Sequence, residues 1–126
     1  MDKKVIHTDN APQPIGPYSQ AVVANGSIYV SGQIAIEPAS GDLITDDITS
    51  ETHQVMRNIE AILSEANITF TNVVKCSIFI KNMKDFPTIN EAYGSYFKEN
   101  PPARETVEVS GLPKGVNVEI SCIASM

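Results

Sequence analysis

Apolar and polar positions along the chain follow two rhythms. Ala21-Val22-Val23-Ala24 and Ser27-Ile28-Tyr29-Val30 are β-rich runs joined by Asn25-Gly26. Asn-Gly between such runs is a strong hairpin signal, because a type I′ turn needs φ > 0 at both central residues. Pairing Ala24 with Ser27 sets a register that puts Tyr29 opposite Val22, Ser31 opposite Gln20 and Gln33 opposite Tyr18. One face of the hairpin then carries Ala21, Val23, Ile28, Val30 and Ile34, a core face. The other carries Tyr18, Gln20, Val22, Tyr29, Ser31 and Gln33, and is semi-polar.

The second rhythm is helical. Ile48, Thr52, Val55, Met56, Ile59, Ile62, Leu63 and Ala66 recur at three- and four-residue steps and predict a helix over 48–66. Asp46, Asp47 and Glu51 lead it, which suits the positive end of the helix dipole. A second helix is expected from Lys84-Asp85-Phe86-Pro87, with Asp85 as N-cap and a stripe of Phe86, Ile89, Tyr93, Tyr96 and Phe97. Gly94 interrupts its propensity, and Asn100-Pro101-Pro102 is expected to stop it.

Strands are predicted over 73–80, with Val74, Cys76, Ile78 and Ile80 on one side, and after Pro101-Pro102, with Arg104, Thr106 and Glu108 opposed to Val107 and Val109. In the last strand Val116, Val118, Ile120, Cys122 and Ala124 face the core, and Asn117, Glu119, Ser121 and Ile123 face away. A short strand around Lys3–His7 completes the order β-β-β-α-β-α-β-β. Right-handed crossovers put both helices on one face, so the expected class is α+β, a mixed six-stranded sheet with two helices on one side. The opposite face, with tyrosines, Phe79 and Ile123 among polar groups, is too apolar for solvent and too polar for a second core. Self-association of that face is the expected solution.

Size and charge narrow the classes. A chain of 126 residues suits one domain spanning 1–126. Nine basic residues against fifteen acidic ones, net −6, leave no Lys/Arg cluster for a phosphate backbone. No apolar run approaches the ~18–20 residues that span a bilayer, and the first twelve residues lack the apolar segment of a secretion signal, so a cytoplasmic location is expected. Cys76 and Cys122 lie in alternating stretches and read as reduced core thiols. His7 and His53 are too few and too scattered for zinc, and His53 is expected to be solvated on its helix.

Two charged residues draw the chemical reading. Arg104 follows a Pro-Pro pair, and its guanidinium fork matches a small carboxylate as well as it matches an intramolecular acid. Glu119 is expected on the face away from the helices, together with Arg104. Partly dehydrated there, its pKa would rise toward values useful for moving protons; in solvent it would be an ordinary strand glutamate. The register between the strands that carry them is open. Tyr18 and Ser31 share the semi-polar face, where hydroxyls can orient a ligand or bond the backbone. Gly16 and Gly32 bring close-approach positions to the same spot.

IGPYSQA at 15–21, VSGQI at 30–34, KNMKDFPTINEAYGSYF at 81–97 and PARETVEVSGLPKGVNVEI at 102–120 together resemble the RidA/YjgF family of reactive-intermediate deaminases. The resemblance is collinear over essentially the whole chain. It implies a chorismate-mutase-like fold, a homotrimer whose sheets form a central barrel, and ligand clefts between subunits. It implies hydrolysis of 2-iminobutanoate and 2-iminopropanoate to 2-oxo acids and ammonia, without metal or organic cofactor. By position, the carboxylate-binding arginine falls on Arg104 and the water-activating glutamate on Glu119. The substrate-binding tyrosine, serine-glycine pair and asparagine fall on Tyr18, Ser31, Gly32 and Asn90. Thr106 stands where the family often has cysteine, and its backbone is the expected ligand contact. Glu105, where serine or threonine is common, is a departure, and alternation points it away from Arg104. The resemblance also carries other readings: a non-catalytic small-molecule-binding regulator, an endoribonuclease or translation inhibitor, and a holdase-like chaperone.

Overall fold

A computed structural model describes residues 2–126. The strands are β1 (Lys4–Ile6), β2 (Ala21–Ala24), β3 (Ser27–Gln33), β4 (Val73–Ile80), β5 (Ala103–Glu108) and β6 (Val118–Ser125). The helices are α1 (Ile48–Glu65), between β3 and β4, and α2 (Phe86–Gly94), between β4 and β5. The sheet order is β1-β2-β3-β6-β4-β5, with every pair antiparallel except β4 and β5. The last strand is thus inserted between β3 and β4, and β5 is left as an edge.

Local signals hold where a turn or a period dictates them. Asn25 (φ 52°) and Gly26 (φ 77°) make the tight turn, and β2 pairs with β3 in the expected register, Ala24 with Ser27 and Val22 with Tyr29. The Asp47 carboxylate caps α1 by accepting from the Ser50 N–H at 2.8 Å. That hydrogen bond holds the carboxyl below its ordinary pKa of 3.8. The inward stripe of α1, from Thr52 to Leu63, lies buried against Ile28, Ile78, Ile80, Val118 and Ile120 of the sheet.

Four expectations change. Val74 is half-exposed and Val73 is buried instead, because an irregularity in the β4–β6 ladder between Val73 and Lys75 inverts the alternation there. α2 ends at Gly94, well before the prolines. Single i→i+3 turns from Tyr96 to Tyr93 and from Phe97 to Gly94 carry the apolar stripe onward without the helix. Asp85 makes no side-chain cap: a 3₁₀ turn over Met83–Asp85 precedes α2 and holds Asp85 in helical backbone geometry. The Asn82 amide oxygen caps that turn instead, accepting from the Lys84 N–H at 3.0 Å. His53 is not free in solvent; its Nδ1 lies 2.8 Å from the Tyr96 hydroxyl.

One side of the sheet holds the core and both helices. The other side is bare: Val5 (54% exposed), Tyr29 (46%) and Val107 (42%) stand there among polar neighbours. No helix among the described residues is long and apolar enough to cross a membrane.

Candidate active site

The bare side acquires chemistry where β3 breaks step. Its ladder with β6 runs from Ser27↔Ser125 to Val30↔Cys122 and resumes at Gln33↔Ile120, so Ser31 and Gly32 bulge opposite Ser121. The extra residue reverses side-chain parity, and Gln33, expected on the semi-polar face, is buried on the core side. The regular β2–β3 ladder has ended by then, with the Ser31 N–H donating to the Gln20 carbonyl at 2.9 Å. The Tyr18–Gln33 pairing expected from the register does not form.

Glu119 projects from β6 into the space the bulge leaves. A Cβ added at Gly32 would stand 2.8 Å from Cδ of Glu119, so glycine is what lets the backbone and the carboxylate lie this close. The same concavity is lined by Tyr18 and, on its apolar side, by Pro12, Ile15, Ile34, Ile36 and Pro113. Glu119 has no hydrogen-bond partner among the described residues, and burial raises its pKa above the ordinary 4.5. The Tyr18 hydroxyl accepts from the Ile15 N–H at 3.2 Å, and the Ser31 hydroxyl donates to the Ser19 carbonyl at 2.6 Å.

Two buried amides, neither singled out by sequence pattern, shape the walls. The Gln20 amide accepts from the Thr8 N–H at 2.8 Å and donates to the Thr8 and Pro12 carbonyls at 3.0 and 2.9 Å, fastening the N-terminal loop that supplies Pro12. Alternation had placed Gln20 on the semi-polar face, but that loop covers it. Asn58 of α1 donates to the Ile34 and Ile36 carbonyls, both at 3.0 Å, and fastens the opposite wall. A polar residue inside an apolar stripe was the available signal for Asn58.

Arg104 lies elsewhere. β5 pairs with β4, Cys76 aligned with Arg104 and Ile78 with Thr106, so these side chains share the helix-covered face. The Arg104 guanidinium carbon is 5.5 Å from the Phe86 ring centroid and 5.2 Å from that of Tyr93. Its Nη1 donates to the Asn90 Oδ1 at 2.7 Å. Phe86, Asn90 and Tyr93 recur along one stripe of α2, a rack that holds the cation by ring quadrupoles and one amide. No carboxylate pairs with it: the one ion pair among the described residues is Lys75–Glu105, at 2.9 Å. The intramolecular alternative for Arg104 is therefore not the one adopted.

The expected sharing of one face by Arg104 and Glu119 is overturned. Insertion of β6 beside β4 puts β4 between their strands, and Glu119 aligns with Phe79 while Arg104 aligns with Cys76, positions of opposite parity. The residues expected in one site thus fall in two groups, Tyr18, Ser31, Gly32 and Glu119 on the bare side and Asn90, Arg104 and Thr106 on the helix side. Glu105 points away from Arg104 as alternation requires. Its bonds to Ser77 and then Lys75 hold its pKa below 4.5. The Thr106 hydroxyl is buried on Arg104's strand without a hydrogen-bond partner among the described residues, and the buried Tyr93 hydroxyl faces only the weakly bonding Cys76 thiol. Cys76 and Cys122, paired across β4 and β6, are free buried thiols whose pKa values burial pushes up. No group of three or more His, Cys, Asp or Glu side chains among the described residues is arranged to hold a metal ion.

Comparison with known proteins places the chain as a whole in a family. A family model described as endoribonuclease L-PSP matches residues 8–126. The 2-iminobutanoate/2-iminopropanoate deaminase of Homo sapiens is 46% identical over 122 residues, covering 97% of this chain and 89% of the relative. A crystal structure of YyfA, a Rid-family protein of Yersinia pestis, superposes with a TM-score of 0.97 at 52% identity, covering 99% of this chain and 100% of that one. E. coli TdcF, crystallised with bound serine, superposes with a TM-score of 0.93 at 36% identity over 98% of each chain. With both sequence and fold matched across nearly its entire length, the chain belongs to the RidA/YjgF (endoribonuclease L-PSP) family.

Proposed function

We propose that the protein is a deaminase that hydrolyses 2-iminobutanoate and 2-iminopropanoate to 2-oxo acids and ammonia. The observation that carries this reading is Arg104, a cation racked on α2 by Phe86, Asn90 and Tyr93 and paired with no carboxylate among the described residues. Such a fork is suited to the carboxylate of a small acid. Glu119, partly dehydrated in the β3 bulge, is the group suited to moving a proton.

Because Arg104 and Glu119 lie on opposite sides of one sheet, a small substrate meets both only where two copies join. A homotrimer with clefts between subunits supplies that meeting and covers the bare face with Val5, Tyr29 and Val107. In such a cleft Arg104 and Asn90 of one subunit hold the substrate carboxylate, with the backbone of Thr106 alongside. Tyr18, Ser31, Gly32 and Glu119 of the next subunit surround C2.

Glu119 takes a proton from water as the water oxygen bonds to C2, and the C=N π pair moves to nitrogen. Glu119 returns that proton to nitrogen, giving a carbinolamine. The hydroxyl proton then passes through Glu119 to the amine, the C–N bond breaks with its electrons to nitrogen, and ammonia leaves the 2-oxo acid. Positioning plus proton transfer, about 10²–10⁴-fold for the latter, suffices for a reaction that water already performs. No cofactor enters these steps. A cytoplasmic site of action fits substrates released there by pyridoxal-phosphate enzymes.

The test is a dehydratase-coupled assay in which threonine supplies the imine. Faster imine loss with the wild type, abolished in Arg104→Ala while the oligomer by light scattering is unchanged, is the expected result. Full activity in that variant refutes the assignment. The serine-bound relative favours one second reading, a binding protein for small amino or keto acids. Under that reading, calorimetry detects 2-oxobutanoate binding with no acceleration of imine loss.

A further inference from the structure

Glu51, in the first turn of α1, is the one buried carboxylate among the described residues, with 0% of its surface exposed. A carboxylate is costly to bury unless donors surround it. The three donors come from the two residues that lead into Glu119. Oε2 accepts the Asn117 N–H at 2.7 Å and the Val118 N–H at 3.2 Å, and Oε1 accepts the Asn117 side-chain amide at 2.8 Å. Asn117, expected to face away from the helices, is turned toward α1 by these bonds. Just past the end of β4, the Lys81 N–H donates to the Asn117 carbonyl at 2.9 Å.

The need for a side chain here follows from the bulge. The β3–β6 ladder ends at Gln33↔Ile120, so on that flank β6 has no strand partner upstream of Ile120. The departure of β3 makes room for the Glu119 carboxylate and also removes hydrogen-bond acceptors from the stretch of β6 that launches it. Glu51 supplies acceptors in their place.

We infer that Glu51 is a positioning residue for Glu119: by holding residues 117 and 118 between α1 and β4, it sets the direction in which the Glu119 carboxylate leaves β6. The inference rests on the proposed catalytic role of Glu119. Its requirement is an acceptor oxygen, not a charge, since both backbone N–H groups share Oε2. A glutamine oxygen at that point keeps both bonds, and the Asn117 amide can turn over to accept from the glutamine NH₂.

The experiment compares wild type, Glu51→Gln, Glu51→Ala and Glu119→Gln in steady-state hydrolysis of 2-iminobutanoate. Glu51→Ala is expected to lose about tenfold or more in kcat with KM within about twofold, because the carboxylate that activates water is misdirected while the Arg104 anchor is untouched. Glu51→Gln is expected within about threefold of wild type on both parameters. Should Glu51→Ala not fold, Glu51→Asp takes its place; it keeps the charge but withdraws the oxygens by one methylene, and the same loss in kcat is expected. Wild-type kcat in a folded Ala or Asp variant overturns the inference. So does a loss confined to KM, or a Gln variant as impaired as the Ala variant. If the wild type itself is inactive, or Glu119→Gln is as active as wild type, it is the functional reading that fails, and this inference with it.

Discussion

Gly32→Ala isolates the geometry of the candidate site from the stability of the fold. The new Cβ would stand 2.8 Å from Cδ of Glu119 and 3.1 Å from its Cγ. Carbon atoms in contact prefer about 3.5–4.0 Å, so the carboxylate must retreat by roughly 1 Å. Gly32 is not among the residues with positive φ, so alanine brings no backbone strain. Its restriction of the unfolded chain stabilises by about 0.4–1 kcal/mol, while pushing Glu119 off its rotamer costs about 0.5–1.5 kcal/mol. The two nearly cancel, and the melting temperature should move by no more than roughly 5 °C. Activity behaves differently, because a misplacement of about 1 Å at a reacting group costs on the order of 10²-fold. The expected result in the dehydratase-coupled assay is therefore a kcat lowered about a hundredfold, with KM and melting temperature close to wild type. A Gly32→Ala protein with kcat within about threefold of wild type would show that the Glu119 carboxylate position does not limit the reaction.

Other outcomes follow from the same contacts. Burial raises the Glu119 pKa, so the acid limb of kcat/KM should lie above pH 4.5, read from a pH–rate profile. By linkage, the folded state binds that proton more tightly than the unfolded one, so the residue lowers stability once pH rises through and above its folded pKa. Glu119→Gln should then raise the melting temperature at pH 7, and the gain should vanish below about pH 4.5. Tyr93→Phe removes a buried hydroxyl whose one polar neighbour is the weakly bonding Cys76 thiol, so chemical denaturation should show unchanged or slightly increased stability. Asn58→Leu strands the Ile34 and Ile36 carbonyls at about 1–3 kcal/mol each, measurable as a lower denaturation midpoint with an unchanged m-value. Cys76 and Cys122 are buried, with thiol pKa values pushed up, so an aromatic disulfide reagent should label them only after denaturant is added.

Much of the fold is written locally. Asn25-Gly26 dictates a turn through backbone dihedrals that few other residues tolerate, and with it the β2–β3 register. The 3.6 period of α1 and the alternation of β6 follow from which side chains must leave water. Those signals, with the family motifs, also pick out Tyr18, Ser31, Gly32, Arg104 and Glu119 as residues of interest. Their arrangement is a different matter. Whether β5 pairs with β6 or with β4 depends on contacts between segments far apart in the chain, and no dipeptide encodes it. The choice of β4 is what separates Arg104 from Glu119. The bulge at Ser31–Gly32 is a single extra residue; Gly32 marks a close approach in the sequence but not the slip in register, which reverses the parity of Gln33 and opens the space for Glu119. Glu51 reads in sequence as one more acid at a helix N-terminus, and only its burial against Asn117 and Val118 reveals it as an acceptor for β6. The sequence by itself determined the elements and the chemical inventory, because these depend on backbone sterics and side-chain period. Tertiary structure decided which face each group occupies, because strand order and one-residue register shifts are settled by packing across the whole sheet.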